Sequence, residues 1–193
     1  MRRLDLSDNR SLTAAGLQLL STVFQSNHTL LEVVDLGCNA VTNEVLRGLA
    51  ISLVGNTTLE ILDVTSENIT PEGVREFCRV LCDPSSINST LFSNHTLRSL
   101  FQYHSPVIVP EELTSLLELN ESTNKAEVAR QKVLQTHFSD SNSTMQVFAE
   151  MNLKVLPASI SWMGTDECGH SLMYKLFRSM AYIVNTEENK KYR

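Results

Sequence analysis

Much that would announce a function is missing from this chain. Its four cysteines, Cys38, Cys78, Cys82 and Cys168, are too few and too scattered for a disulfide framework, so reduced thiols in an intracellular compartment are the default. Cations are outnumbered: 16 Lys and Arg against 22 Asp and Glu leave a net charge of −6 and a pI near 5.4. Nucleic acid and anionic membrane are thereby disfavoured as main partners, because both need clustered positive charge. No run approaches the ~20 apolar residues of a membrane-spanning helix. The opening Met1-Arg2-Arg3-Leu4-Asp5-Leu6 lacks the apolar core of a secretory signal, which makes a cytoplasmic location the expectation. P-loop, GxGxxG, HExxH and GxSxG motifs are all absent, and nothing assembles a nucleophile with a base. No catalysis and no cofactor are expected.

What is present is repetition. Ser26-Asn27-His28-Thr29-Leu30 recurs letter for letter as Ser93-Asn94-His95-Thr96-Leu97, and Gly55-Asn56-Thr57-Thr58-Leu59 is a looser copy. A short run of alternating apolar residues accompanies each, with the pattern L-x-x-L-x-L-x-x-N. Met1, Leu4, Leu6 and Asn9 supply the first copy; Leu31, Val34, Leu36 and Asn39 supply the second. The third has Leu59, Leu62 and Val64 with Glu67 in the final slot. The fourth has Leu97 and Leu100 and then departs. Thr13, Thr42 and Thr70 share one slot as N-cap candidates, and Val109 stands there in the fourth copy, before Pro110-Glu111. Beyond each slot runs a helical apolar stripe: Leu17, Leu20, Val23 and Phe24; Leu46, Leu49 and Leu53; Val74, Phe77, Val80 and Leu81; Leu113, Leu116 and Leu119. Two periodicities repeating in phase predict a strand followed by a helix in every copy, with parallel strands.

In these residues the chain resembles the leucine-rich-repeat family, in its ribonuclease-inhibitor-like subclass with a full α-helix in each repeat. Repeat starts at Met1, Leu31, Leu59 and Leu97 are 30, 28 and 38 residues apart, and a polar insertion at 84–93 stretches the third interval. The resemblance implies an α/β leucine-rich-repeat solenoid, a short horseshoe with parallel strands inside and helices outside, over residues 1–124. A helical C-terminal cap at 125–184, carrying Trp162, Leu176 and Phe177, and a polar tail at 185–193 complete the expected organisation. The stretch from Ser161-Trp162-Met163-Gly164 to Ser171-Leu172-Met173-Tyr174 also resembles the C-terminal segment of uncharacterised algal leucine-rich-repeat proteins. No comparable cap stands at the front: either the sequence is a piece of a longer array, or its first strand is poorly covered.

The resemblance implies protein binding on the concave strand face. The fifth position of the pattern reads Asp5, Asp35, Asp63 and then Phe101, an expected outward-facing acidic column beside Arg98, Tyr103 and His104. A basic protein surface fits that column and the net charge. Two bland readings stand beside it: Leu-Asp-Leu is common in such repeats, and the aromatics fit equally well beneath the C-terminal cap. An enzyme regulator, such as a GTPase activator of the leucine-rich-repeat type, is the alternative, with no motif to carry it. Cys78 and Cys82 share a helix face, but without a CxxC pair or a histidine-rich partner motif no metal site is expected. Sequons at Asn9, Asn27, Asn56, Asn68, Asn88, Asn94, Asn120 and Asn142 read as unglycosylated turns spread by repeat duplication, with export and glycosylation as the minority reading.

Overall fold

The computed structural model describes residues 1–26, 30–101 and 108–138. Within them the chain alternates short strands with helices. Strand β1 (Arg3–Asp5) leads to helices α1 (Ala14–Gln18) and α2 (Leu20–Gln25), and β2 (Val33–Asp35) leads to α3 (Asn43–Ser52). Strand β3 (Ile61–Asp63) leads to α4 (Pro71–Leu81), followed by α5 (Ile87–Leu91), α6 (Glu111–Leu119) and α7 (Lys125–Phe138). Contacts divide the chain into two units, Met1–Asp83 with Phe92–Ala129, and Pro84–Leu91 with Arg130 onward.

In the first unit the sheet runs β1-β2-β3, all parallel, with Leu4 beside Val34 and Val34 beside Leu62. The ladder continues past the strands, where Leu6 donates to the Asp35 carbonyl at 2.9 Å and Leu36 to the Asp63 carbonyl at 2.8 Å. Each apolar slot of the repeat therefore stacks on its counterpart, as the two in-phase periodicities predict. The fourth copy joins through a single parallel bridge between Ile61 and Ser99, with Leu62 donating to the Ser99 carbonyl at 3.0 Å. Arg98 also donates to the Glu60 carbonyl at 2.8 Å and Val64 to the Leu100 carbonyl at 3.2 Å, so the contact runs as far as the pattern does.

Val34, Leu36, Leu62, Val64 and Leu97 from the strand side are sealed against Leu46, Leu49, Leu53, Val74, Phe77 and Leu81 from the helices. Burial of such side chains, at about 1.5–3 kcal/mol each, supplies most of the driving force. Two expectations about the helices need correction. The first-repeat helix is split at Leu19, whose carbonyl accepts both the amide and the hydroxyl of Thr22, at 3.1 and 2.7 Å. A β-branched hydroxyl competing for that carbonyl interrupts the regular ladder. Thr13 and Thr42 cap their helices through Gly16 and Val45, but Thr70 does not. Its hydroxyl instead accepts from the Asn43 side-chain amide of the preceding repeat at 3.0 Å. Gly73 makes that contact possible, since a Cβ there would overlap the Asn43 amide.

A second ladder runs where helices turn back to strands. The Asn56 amide donates to the Phe24 carbonyl at 2.8 Å, Asn94 to the Leu53 and Asn56 carbonyls, and Asn120 to the Leu97 carbonyl at 2.6 Å. The side-chain Oδ1 atoms of Asn56 and Asn94 accept from backbone amides of their own turns. All three asparagines are buried, so these sequons are structural turns and closed to glycosylation in the folded protein. Asn27 and Asn142 lie outside the described residues.

In the second unit, α5 forms within the polar insertion, and Ser86 starts its turn by accepting the Ser89 amide. Thr90 and His137 share a hydrogen bond of 2.8 Å, and burial pushes the His137 imidazole below its ordinary pKa. Residues 84–91 of the insertion thus group with the segment from Arg130 instead of with the repeats, while Phe92 and Ser93 stay with the repeats. The remainder of the expected cap, with Trp162, Leu176 and Phe177, lies outside the described residues, as does the 185–193 tail.

Candidate functional site

Strand alternation sorts the residues of each repeat between two faces. Leu4, Val34, Leu62 and Leu100 point into the core between sheet and helices. Arg3 and Asp5, Val33 and Asp35, Ile61 and Asp63, and then Ser99 and Phe101, take the opposite face. The register places Arg3, Val33 and Ile61 in one row and Asp5, Asp35 and Asp63 in the next.

That second row was expected to be an outward acidic column, and the structure corrects its exposure. Asp5 is exposed, but Asp35 and Asp63 are 7% and 1% accessible. Each aspartate folds back on its own turn. Asp5 accepts from the Ser7 amide at 3.0 Å and the Ser7 hydroxyl at 2.7 Å; Asp35 accepts from the Gly37 amide at 2.9 Å. Asp63 accepts from the Thr65 amide at 2.9 Å and its hydroxyl at 2.7 Å. The Ser7 bonds, helped by the nearby Arg3 charge, hold the Asp5 carboxyl below its usual pKa. Gly37 belongs to the same device, since a Cβ there would come within 3.1 Å of the Asp35 carboxylate oxygen. Aspartate followed two residues later by Ser, Gly or Thr is the local signal for such turns, and it is present in all three repeats.

Further exposed charge lies immediately before the strands. Arg2 pairs with Glu32, and Arg98 with Glu60 at 3.2 Å, so this row reads positive, negative, negative, positive across the strands. Exposed pairs of this kind contribute about 0–1 kcal/mol and leave the side chains free to exchange partners. Lys125, unnoticed in the sequence, joins the Glu60–Arg98 end: its ammonium donates to the Asn120 carbonyl at 2.7 Å. Desolvation lowers its pKa, against the opposing pull of Glu60. Of the remaining candidates, Phe101 is half-buried against the core, and Tyr103 and His104 lie outside the described residues. Phe101 therefore shares the face with half-buried Val33 and Ile61 and exposed Asp5, while Arg98 lies exposed beside Glu60 just before that segment.

At the ends of the strands lies a cavity of about 440 Å³, lined by Arg10, Cys38, Asn39, Ser66 and Glu67 among others. Cys38 is exposed there with φ 58°, a left-handed conformation shared by Asp8 in the equivalent slot of the first repeat. Cys78 is different: burial pushes its thiol up to about 11, which keeps it protonated. Among the described residues no group of three or more His, Cys, Asp or Glu side chains could hold a metal ion, and no helix is long and apolar enough to cross a membrane.

A family model described as Leucine Rich repeat matches residues 1–21 and 55–78. The matched segments are the first strand with its helix and the third strand with most of α4, and β2 lies between them in register. The match supports a leucine-rich-repeat protein, and such repeats generally mediate protein–protein interaction. No curated protein matches the chain in sequence.

Proposed function

We propose that this leucine-rich-repeat chain is a protein-binding module, without catalysis of its own, that receives a protein ligand on the sheet face turned away from its helices. One observation carries the reading: the strands align residue for residue, so the variable positions of successive repeats form continuous rows on one surface. Repeat arrays use such rows for recognition because every position can vary without disturbing the core. Here the rows present Val33, Ile61 and Phe101 as half-covered apolar ground, bordered by Glu32, Glu60 and Arg98. Apolar centres with a charged rim are the usual composition of a binding patch. With Asp35 and Asp63 closed off by their own turns, the rim is of mixed sign, which fits a ligand of mixed charge better than a uniformly basic one. The 30- and 28-residue spacings of the first repeats support the ribonuclease-inhibitor-like subclass.

Site-specific photo-crosslinking tests this. A photoreactive residue at Val33 or Ile61 should give covalent adducts with a protein ligand in native extract, and one at Arg79 on α4 should not. Adducts formed only from Arg79 would move the binding surface to the helices. Adducts from none of the three positions would sink the binding reading.

A further inference from the structure

The cavity at the ends of the strands differs in kind from the sheet face. Its volume of about 440 Å³ falls inside the ~300–1,000 Å³ range of small-molecule sites. Three consecutive turns wall it: Arg10 from the first repeat, Cys38 and Asn39 from the second, Glu67 and Asn68 from the third. Arg10 and Glu67 are exposed and of opposite charge, and among the described residues neither joins an ion pair. Two inter-strand steps, about 10 Å, separate their turns. On the turn between them stands the exposed Cys38 thiol, whose amide donates to the Thr65 carbonyl at 2.8 Å. Asn39 beside it also lines the cavity but is only 5% accessible. Its Nδ2 donates to the Leu6 and Leu36 carbonyls at 2.7 and 3.0 Å, while its Oδ1 accepts from nothing among the described residues. A buried acceptor without a donor is costly, and on a cavity wall it calls for a donor from an occupant.

We propose that this cavity receives a zwitterionic thiol tripeptide of the glutathione class and joins it to Cys38 as a reversible mixed disulfide. Three linked residues span about 10 Å, which matches the distance from the first turn to the third. A carboxylate at one end then meets Arg10, an ammonium at the other meets Glu67, and the sulfur of the middle residue falls at Cys38. The peptide N–H groups flanking that sulfur are the donors that Asn39 Oδ1 lacks. The bond forms by exchange with the symmetrical disulfide of the tripeptide. The Cys38 thiolate attacks one sulfur, the tripeptide S–S bond breaks, and a bond between Cys38 Sγ and that sulfur forms. The second tripeptide leaves as a thiolate and takes up the proton that Cys38 released. One disulfide replaces another, so no further oxidant enters.

Exchange rates of the full chain with two disulfides test the proposal: glutathione disulfide, and the uncharged bis(2-hydroxyethyl) disulfide. Acid quenching and peptide mapping by mass spectrometry read the adduct at each cysteine. Cys38 should form the glutathione adduct faster than half-buried Cys82. Joint replacement Arg10→Gln and Glu67→Gln should slow the glutathione reaction at Cys38 about tenfold, the effect of two exposed ion pairs, and leave the uncharged reaction unchanged. High salt should slow the glutathione reaction of the unsubstituted chain in the same way. Both replaced residues are exposed, and circular dichroism checks that the fold is kept. A ratio of charged to uncharged rates that ignores both substitutions would overturn the proposal and leave Cys38 an ordinary exposed thiol. Faster glutathione adduct formation at Cys82 than at Cys38 would overturn it as well.

Discussion

Leu4 and Leu6 in the first repeat occupy the slots that Leu62 and Val64 occupy in the third, yet the first pair is half-buried and the second is closed to solvent. The same contrast runs through the rest of the two repeats. Asp5 is exposed where Asp63 is buried, although both accept the same two bonds from the residue two positions on. The helical part of the first is split at Leu19, and that of the third runs unbroken over Pro71–Leu81. A repeat pattern sets which way each side chain points; the neighbouring repeat sets how far it is buried. The third repeat has the second on one side and the bridge at Ser99 on the other. The first has a described neighbour on one side only.

The largest way to break this comparison is in the core. Leu62→Ala should cost about 2–5 kcal/mol, the range for a fully enclosed leucine, whereas half-buried Leu4→Ala should cost less than half as much. Urea denaturation of the two variants checks it, and equal losses would deny the graded burial. Next come the thiols. Cys78 is enclosed with its pKa raised to about 11, and Cys38 is exposed. Site-resolved alkylation should therefore be at least ~100-fold faster at Cys38, because the thiolate is the reacting species. Equal rates would mean that α4 opens readily.

The asparagines come third. Asn94→Ala strips partners from several buried backbone groups and should cost about 1–3 kcal/mol, against less than ~1 kcal/mol for exposed Asn9→Ala. The smallest effect belongs to the exposed ion pairs: Glu60→Gln should change stability by no more than ~1 kcal/mol and lose its effect at high salt. A larger cost would show Lys125 and Arg98 to be tied to Glu60 more firmly than an exposed pair allows.

The strand and helix of each repeat were legible in the sequence because their signals are local. Leu4-x-Leu6 and its copies announce a strand with one inward face, and Val74, Phe77, Val80 and Leu81 announce a helix with one apolar stripe. What crosses between repeats was not legible. Nothing in Asn94-His95-Thr96 says that its amide reaches the Leu53 carbonyl, and nothing at Thr70 says that Asn43 takes the place of its cap contact. The candidate site was half-legible for the same reason. The row of Asp5, Asp35 and Asp63 followed from the period-two alternation, but the burial of Asp35 and Asp63 did not, because it depends on how tightly adjacent turns approach at Gly37. Arg98 is exposed and Phe101 half-buried, and Lys125 entered from a helix that the repeat pattern does not cover.

The claim that a neighbouring repeat decides burial is tested most directly by hydrogen exchange followed by mass spectrometry. Amides of β1, α1 and α2 should exchange well before those of β3 and α4, with β2 and α3 between, because local opening is easiest where fewer side chains are buried. Uniform protection across the three repeats, or slower exchange in the first than in the third, would contradict the account.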